Sequence, residues 1–258
     1  MSTNLEITDH GPVRELQLAR PPVNALDPAL VDALLAALHE ASQGAPASST
    51  KVLVLSGRLG MFSAGLDVPA LLALDRQAMA AFWQRFFALT RALAECPLPI
   101  AAAITGHSPA GGTVLSLFCD LRIAAEGDYK LGLNEVQVGL PVPPVIIDAF
   151  TRLTGPRAAA QYLIQGALIS PAEAYRIGLV DELLPLTQVV PRAISWGHSM
   201  AALPPLALKT TRDAVRSDLV ALARGKEKFS HEAMTEVWFS AEAQNALRAM
   251  VERVKTKK

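Results

Sequence analysis

Two glycine-bearing loops and one isolated glutamate are the residues best suited to chemistry in this chain. The loops Phe62-Ser63-Ala64-Gly65-Leu66-Asp67 and Gly106-His107-Ser108-Pro109-Ala110-Gly111-Gly112 each follow an apolar run of strand length. Such turns present backbone N–H groups at the start of a helix, where no helical carbonyl can accept them, and so suit an anion or an oxyanion. Three readings compete for the second loop. Phosphate binding lacks its motifs, G-x-x-x-x-G-K-[ST] and G-x-G-x-x-G, and the loop has no lysine. Gly106 to Ala110 imitates a nucleophile elbow, with Ser108 attacking and His198 or His231 as base. In that elbow the residue after the nucleophile donates its N–H, and Pro109 has none. The third reading takes an N–H from each loop onto one carbonyl oxygen, stabilising an enolate or tetrahedral oxyanion. That device needs a proton carrier. Glu135 sits in the largely apolar run Leu131 to Gly139, with no further charge until Asp148, where burial raises its pKa towards neutrality. The plain alternatives are two ordinary tight turns and a surface glutamate.

The elements that must hold these loops follow from hydrophobic patterning. Leu5–Thr8 and Val13–Leu18 read as antiparallel strands around a turn at 9–12, and Asp27-Pro28 opens a helix carrying Leu30, Leu34, Leu35 and Leu38 as far as a loop at 42–49. Val52–Leu55, Ile100–Ile104 and Leu121–Ala124 read as buried strands. Gly57–Gly65 and Gly106–Gly112 are expected as loops, with helices over 76–95 and 113–118. Trp83, Phe86 and Phe87 fall at helical spacing, which suits core before ligand pocket. This β, loop, α alternation predicts an α/β layer. From Pro156 onward helices dominate, with two long ones expected over 209–224 and 232–254. The stripe Trp238, Phe239, Leu247, Met250 and Val254 suits either the intramolecular core or another subunit.

Composition removes several classes. At 258 residues, with 51% hydrophobic and 19% charged, the chain suits one large domain or a domain with an appendage. Lys plus Arg is 24 and Asp plus Glu is 24, so there is no field to collect nucleic acid. Cys96 and Cys119, without CxxC spacing or a Cys/His cluster, predict no disulfide framework and no metal site. A cytoplasmic location is expected, since Met1–Glu6 has no basic, apolar leader pattern. The uncharged stretch from Cys96 to Cys119 is read as core and not as a membrane span, because prolines and glycines interrupt it.

The loops at 62–67 and 109–112, together with Pro22-Val23-Asn24-Ala25-Leu26, Cys119-Asp120 and the Glu135 segment, resemble the crotonase (enoyl-CoA hydratase/isomerase) superfamily over nearly the whole chain. Ser-Ala-Gly-Leu-Asp at 63–67, Ser-Pro-Ala-Gly-Gly at 108–112 and Gly-Leu-Asn-Glu at 132–135 look most like its mitochondrial-type Δ3,Δ2-enoyl-CoA isomerase branch. The resemblance implies a crotonase-like α/β fold, a ββα spiral core over 1–200 with a C-terminal helical trimerisation region over 201–258. It implies a thioester carbonyl held by the amides of Ala64 and Gly111. Coenzyme A is then part of the substrate, with no separate cofactor, and contacts Val23, Asn24, Ala25, Gly65, Leu66, Asp67, Val68 and Asn134. A homotrimer or dimer of trimers is implied too.

Hydratases of this family use a second carboxylate on the helix after the glycine pair, and here that position is Val114. The resemblance therefore implies an isomerase in fatty-acid β-oxidation, with Glu135 catalytic and Val114 in the acyl pocket. Another acyl-CoA reaction, hydration or thioester hydrolysis, is the alternative on the same fold. Two departures bear on this expectation: Leu140-Pro141-Val142-Pro143-Pro144 is proline-rich where the acyl tail passes, and the segment before Tyr129 is one residue short.

Overall fold

The structure, a computed structural model, describes residues 4–42, 50–225 and 231–256. The expected loop residues 43–49, the Val254 and Lys255 side chains and the basic tail at Lys257 and Lys258 lie outside that description.

The chain opens with β1 (Leu5–His10) and β2 (Val13–Leu18), paired antiparallel. Asp9 and His10 belong to the ladder, so the turn is tighter than its composition suggests, with Gly11 at φ +64°. Helix α1 (Pro28–Ser42) starts where expected, Asp27 Oδ1 accepting from Leu30 N at 2.8 Å. Three ββα turns follow. Strands β3 (Val52–Ser56) and β4 (Gly60–Met61) lead to α2 (Val68–Leu71) and α3 (Arg76–Glu95). Strands β5 (Ile100–Ile104) and β6 (Gly106–Pro109) lead to α4 (Gly111–Leu117). Strands β7 (Leu121–Ala125) and β8 (Leu131–Gly132) lead through a 3₁₀ turn at Glu135–Val138 to α5 (Pro144–Gln165).

Each turn gives one strand to each of two sheets. The large sheet runs β1-β2-β3-β5-β7-β9, parallel beyond β2, and ends with β9 (Glu182–Leu184), reached through α6 (Pro171–Arg176). The small sheet runs β4-β6-β8. Its strands β4 and β6, of two and four residues, fall inside segments expected as loops at 57–65 and 106–112, because pieces so short show no alternation.

Side-chain alternation sorts the large sheet into two cores. Val52 and Val54 of β3, with Ala101 and Ala103 of β5, meet Val189 and Ala193 of α7 (Leu186–Ala201). Leu53, Leu55, Ile100 and Ile104 face the main core, shared with α1, α3 and α4. Both strands are buried on both faces, the reason they read as continuous apolar runs.

The C-terminal helices differ from expectation in continuity. The long helix over 209–224 is two, α8 (Pro205–Val215) and α9 (Ser217–Arg224), broken at Arg216, whose φ −100°, ψ 4° leaves the helical range. The helix over 232–254 is also two, α10 (His231–Trp238) and α11 (Ala241–Lys255), because Ser240 caps the second through Ala243 N at 3.2 Å. Trp238 and Leu247 are fully buried, and Phe239 and Met250 pack against the same core, so the described stripe faces inward.

Arg216 and Arg212 tie these helices to the spiral. Asp120 accepts from Arg216 Nη1 at 3.0 Å and Arg212 Nη2 at 2.9 Å, and also from Ile100 N at 2.8 Å. Arg216 Nη2 also reaches the carbonyls of Leu93, Ala94 and Phe118, at the ends of α3 and α4. Asp120→Ala would leave two guanidinium groups buried without their carboxylate, and is expected to lower the stability to urea unfolding by about 3–5 kcal/mol. A loss under about 1 kcal/mol would mean that this cluster is solvated.

Candidate active site

The two glycine turns meet backbone to backbone. A Cβ on Gly65 would lie 2.9 Å from Ala110 Cβ and 3.0 Å from Gly111 N, and one on Gly112 would lie 2.5 Å from Ser63 O. Ala110 is turned to φ +48°, a conformation that costs a non-glycine residue about 1–3 kcal/mol, and its N–H is held by Gly132 O at 2.8 Å. Gly111 thereby opens α4, and its amide belongs to the first turn, which no helical carbonyl can satisfy.

The other expected donor is engaged. Ala64 N donates to Val23 O at 2.9 Å and Gly65 N to Ser63 Oγ at 3.2 Å, so the two-amide pocket implied by resemblance is only half open here. The cause is the segment around Asn24, which lies against the first turn. Asn24 Nδ2 donates to Phe62 O at 3.0 Å and Ser63 Oγ donates to Asn24 O at 2.7 Å. Asn24 is buried as a staple between the two segments, not exposed to a ligand.

Two cavities flank the amides. A groove of about 380 Å³ is lined by Val23, Ala25, Ala64, Leu66, Asp67 and Val68, with Met250 and Val251 of α11 as its far wall. Asp67 caps α2 through Ala70 N at 3.0 Å and pairs with Arg20 at 2.6 Å, while Arg20 also holds Asp27 at 2.9 Å. The second cavity, about 20 Å³, lies between Gly111, Leu66, Val114 and Glu135, and Leu66 belongs to both. Of the remaining expected ligand contacts, Asn24, Gly65 and Asn134 line neither cavity.

Glu135 begins the 3₁₀ turn that follows β8. Its Oε2 is shielded from solvent and has no hydrogen-bond partner. Burial pushes its carboxyl up to about 7 from an ordinary 4.5, against a smaller downward pull from its own backbone N–H. Among the residues lining this cavity it is the sole titratable side chain. Val114, on α4, supplies only methyl groups. The other acids between Gly106 and Asp128 stand elsewhere: Asp120 is in its arginine pair, Glu126 is exposed, and Asp128 lies beside Lys130 at 3.6 Å.

The nucleophile elbow is not assembled. Ser108 is fully buried within β6, its Oγ without a partner. His198 approaches the β1–β2 turn, where its Cε1 would be 3.9 Å from a Cβ on Gly11, and His231 pairs with Glu232 at 2.9 Å. His107 is structural: its Nδ1 accepts from Lys130 N at 3.2 Å and its ring meets Tyr129 edge-on at 5.3 Å. Trp83 and Phe86 are core residues and also line the small cavity, as does Met234 of α10. Met234, Met250 and Val251 carry no local signal of such a place, because only the folded-back C-terminal helices bring them there.

The chain matches the enoyl-CoA hydratase/isomerase family over residues 8–257. It is 34% identical over 205 residues to the Homo sapiens enoyl-CoA delta isomerase 1, mitochondrial, covering 79% of this chain and 67% of that protein. It is 30% identical over 208 residues to the probable enoyl-CoA hydratase EchA17 of Mycobacterium tuberculosis H37Rv, covering 81% and 78%. The crystal structure of human mitochondrial delta3-delta2-enoyl-CoA isomerase superposes with a TM-score of 0.90 at 28% identity, over 99% of each chain.

Two outcomes test this geometry. Gly112 is helical, so alanine there would gain about 1 kcal/mol by propensity alone. The contact with Ser63 O instead predicts a loss of about 1–3 kcal/mol in urea unfolding. For Glu135 the folded-state pKa lies above the unfolded value, so the stability tied to this group is present at low pH and lost as pH rises from 4.5 through about 7. Glu135→Gln is thus expected to raise the melting temperature near pH 8 and to change it little near pH 4.5. Equal shifts at both would mean the carboxylate is hydrated.

Proposed function

Because the chain belongs to the enoyl-CoA hydratase/isomerase family, we propose that it moves the double bond of a 3-enoyl-CoA to give the 2-trans-enoyl-CoA, with one glutamate carrying the proton. The observation that supports this most is the buried, partnerless Oε2 of Glu135, the one titratable side chain on the wall of an apolar cavity next to the first amide of α4. In this reading the thioester oxygen sits on Gly111 N–H. The ionised Glu135 takes a C2 proton, the electron pair spreads over C2, C3 and C4 with charge on the thioester oxygen, and Glu135 returns the proton to C4. Ala64 N–H joins Gly111 when the thioester oxygen displaces Val23 O as its acceptor. One oxyanion donor is worth about 10²–10³ in rate, so the exchange is worth making.

Val114 is what separates this reading from hydration, since a methyl-bearing side chain can neither hold nor deprotonate water. The groove beneath α11 takes the coenzyme A portion of the substrate, so no separate cofactor is invoked. A place in fatty-acid β-oxidation follows from the substrate class. The two buried free thiols suit a reducing compartment, and the cytoplasm is the one taken in this reading. Among the described residues no helix is long and apolar enough to cross a membrane. A trimer, or a pair of trimers, would cover Leu203, Leu206 and Val215, large apolar side chains exposed in the single chain.

The test is direct. Purified protein is given 3-trans-hexenoyl-CoA and 2-trans-hexenoyl-CoA, and the conjugated thioester absorbance is followed. Growth from the 3-enoyl ester is expected, and Glu135→Gln should reduce it by about 10²–10⁴-fold. Because the base form is the active one, the rate should climb with pH to half its plateau near the Glu135 pKa of about 7. Rapid loss of absorbance from the 2-enoyl ester would overturn this reading in favour of hydration.

A further inference from the structure

The two cavities differ sharply in size. The coenzyme groove measures about 380 Å³, whereas the space beside Glu135 measures about 20 Å³, room for about one water molecule. An acyl tail leaving the Gly111 amide and passing Glu135 must therefore displace a wall. The walls are not equally able to give way. Met234 is unbranched and adapts by rotating about its side-chain bonds. Pro141 and Pro143 have fixed φ and constrain the opposite side.

Trp83 is the largest side chain lining this space and is 3% exposed. Four aromatic rings hold it: Phe87 stacked at 6.0 Å, with Phe82 at 5.7 Å, Phe86 at 5.9 Å and Trp238 of α10 at 6.2 Å edge to face. Such pairs are worth about 0.5–1.5 kcal/mol each beyond area burial, so the indole cannot turn aside without unpacking α3 from α10.

Resting on the isomerase reading above, we propose that Trp83 is the end wall of the acyl pocket and restricts the enzyme to short-chain 3-enoyl thioesters. Met234 yields the room for the first carbons, and the clamped indole stops the tail.

Two series test this, and only one needs turnover. Binding of saturated butanoyl-, hexanoyl-, octanoyl- and decanoyl-CoA is measured by calorimetry, and turnover of the matching 3-trans-enoyl esters by absorbance. Wild type should bind hexanoyl-CoA at least about tenfold more tightly than decanoyl-CoA. Trp83→Leu should bring that ratio to about one or reverse it, and Trp83→Phe, the smaller change to the core, should fall between. Turnover should show the same change in ratio. Equal binding of both lengths by wild type, or Trp83 variants that weaken every length by one factor, would overturn the proposal. Length-dependent binding with no turnover of any ester would leave the wall standing and remove the isomerase reading. Equal turnover of all lengths would do the reverse.

Discussion

The close approach of two backbone turns is the constraint on which the rest of the molecule depends. Gly65, Gly111 and Gly112 leave no room for side chains between the turns, so the first amide of α4 lies against the segment that carries Ala64. Two sheets are needed to hold that approach. The large sheet anchors β3 and β5 between two cores, and the small one carries each turn onward through β4 and β6. The first turn is stapled from outside by Asn24, and the second is held by Gly132 on β8. Three successive repeats thus each contribute one piece to a single place.

Charge is managed around this place by a contrast among acids. Glu15 lies in the interior but accepts from Ser56 Oγ at 2.6 Å and meets His10 Nε2 at 3.0 Å. Asp120 has its two arginines and a backbone amide. Both are satisfied, and both hold elements together. Glu135 Oε2 is shielded and unsatisfied, which disfavours its ionised form and leaves the proton easily exchanged near neutrality. The same chemical group is therefore cement in two positions and, with one oxygen buried and unpartnered, a carboxyl pushed towards neutrality in the third.

Much of this was legible in the residues. Five-residue apolar runs at Val52 and Ile100 announced strands buried on both faces, Asp27 announced a helix start, and a glutamate without charged neighbours announced a perturbed carboxyl. The small sheet was hidden because two-residue strands have no period. The breaks at Arg216 and Ser240 were hidden because they answer to a buried ion cluster and a cap, not to hydrophobic spacing. The engagement of Ala64 N by Val23 O, and Trp83 acting as core and cavity wall together, belong to tertiary packing that spacing does not encode.

Helix α11 seats on the 3₁₀ turn that carries Glu135, so close to Gly139 that a Cβ there would be 3.0 Å from Ala243 Cα, and its Met250 and Val251 form the far wall of the large groove. Every other residue of that groove lies at or before Pro69. During synthesis the spiral, both glycine turns and Glu135 all leave the ribosome before this helix does. Until α11 folds back, the groove lacks its Met250 and Val251 wall and the 3₁₀ turn lacks the helix packed over it, so one element completes both the large groove and the surroundings of Glu135.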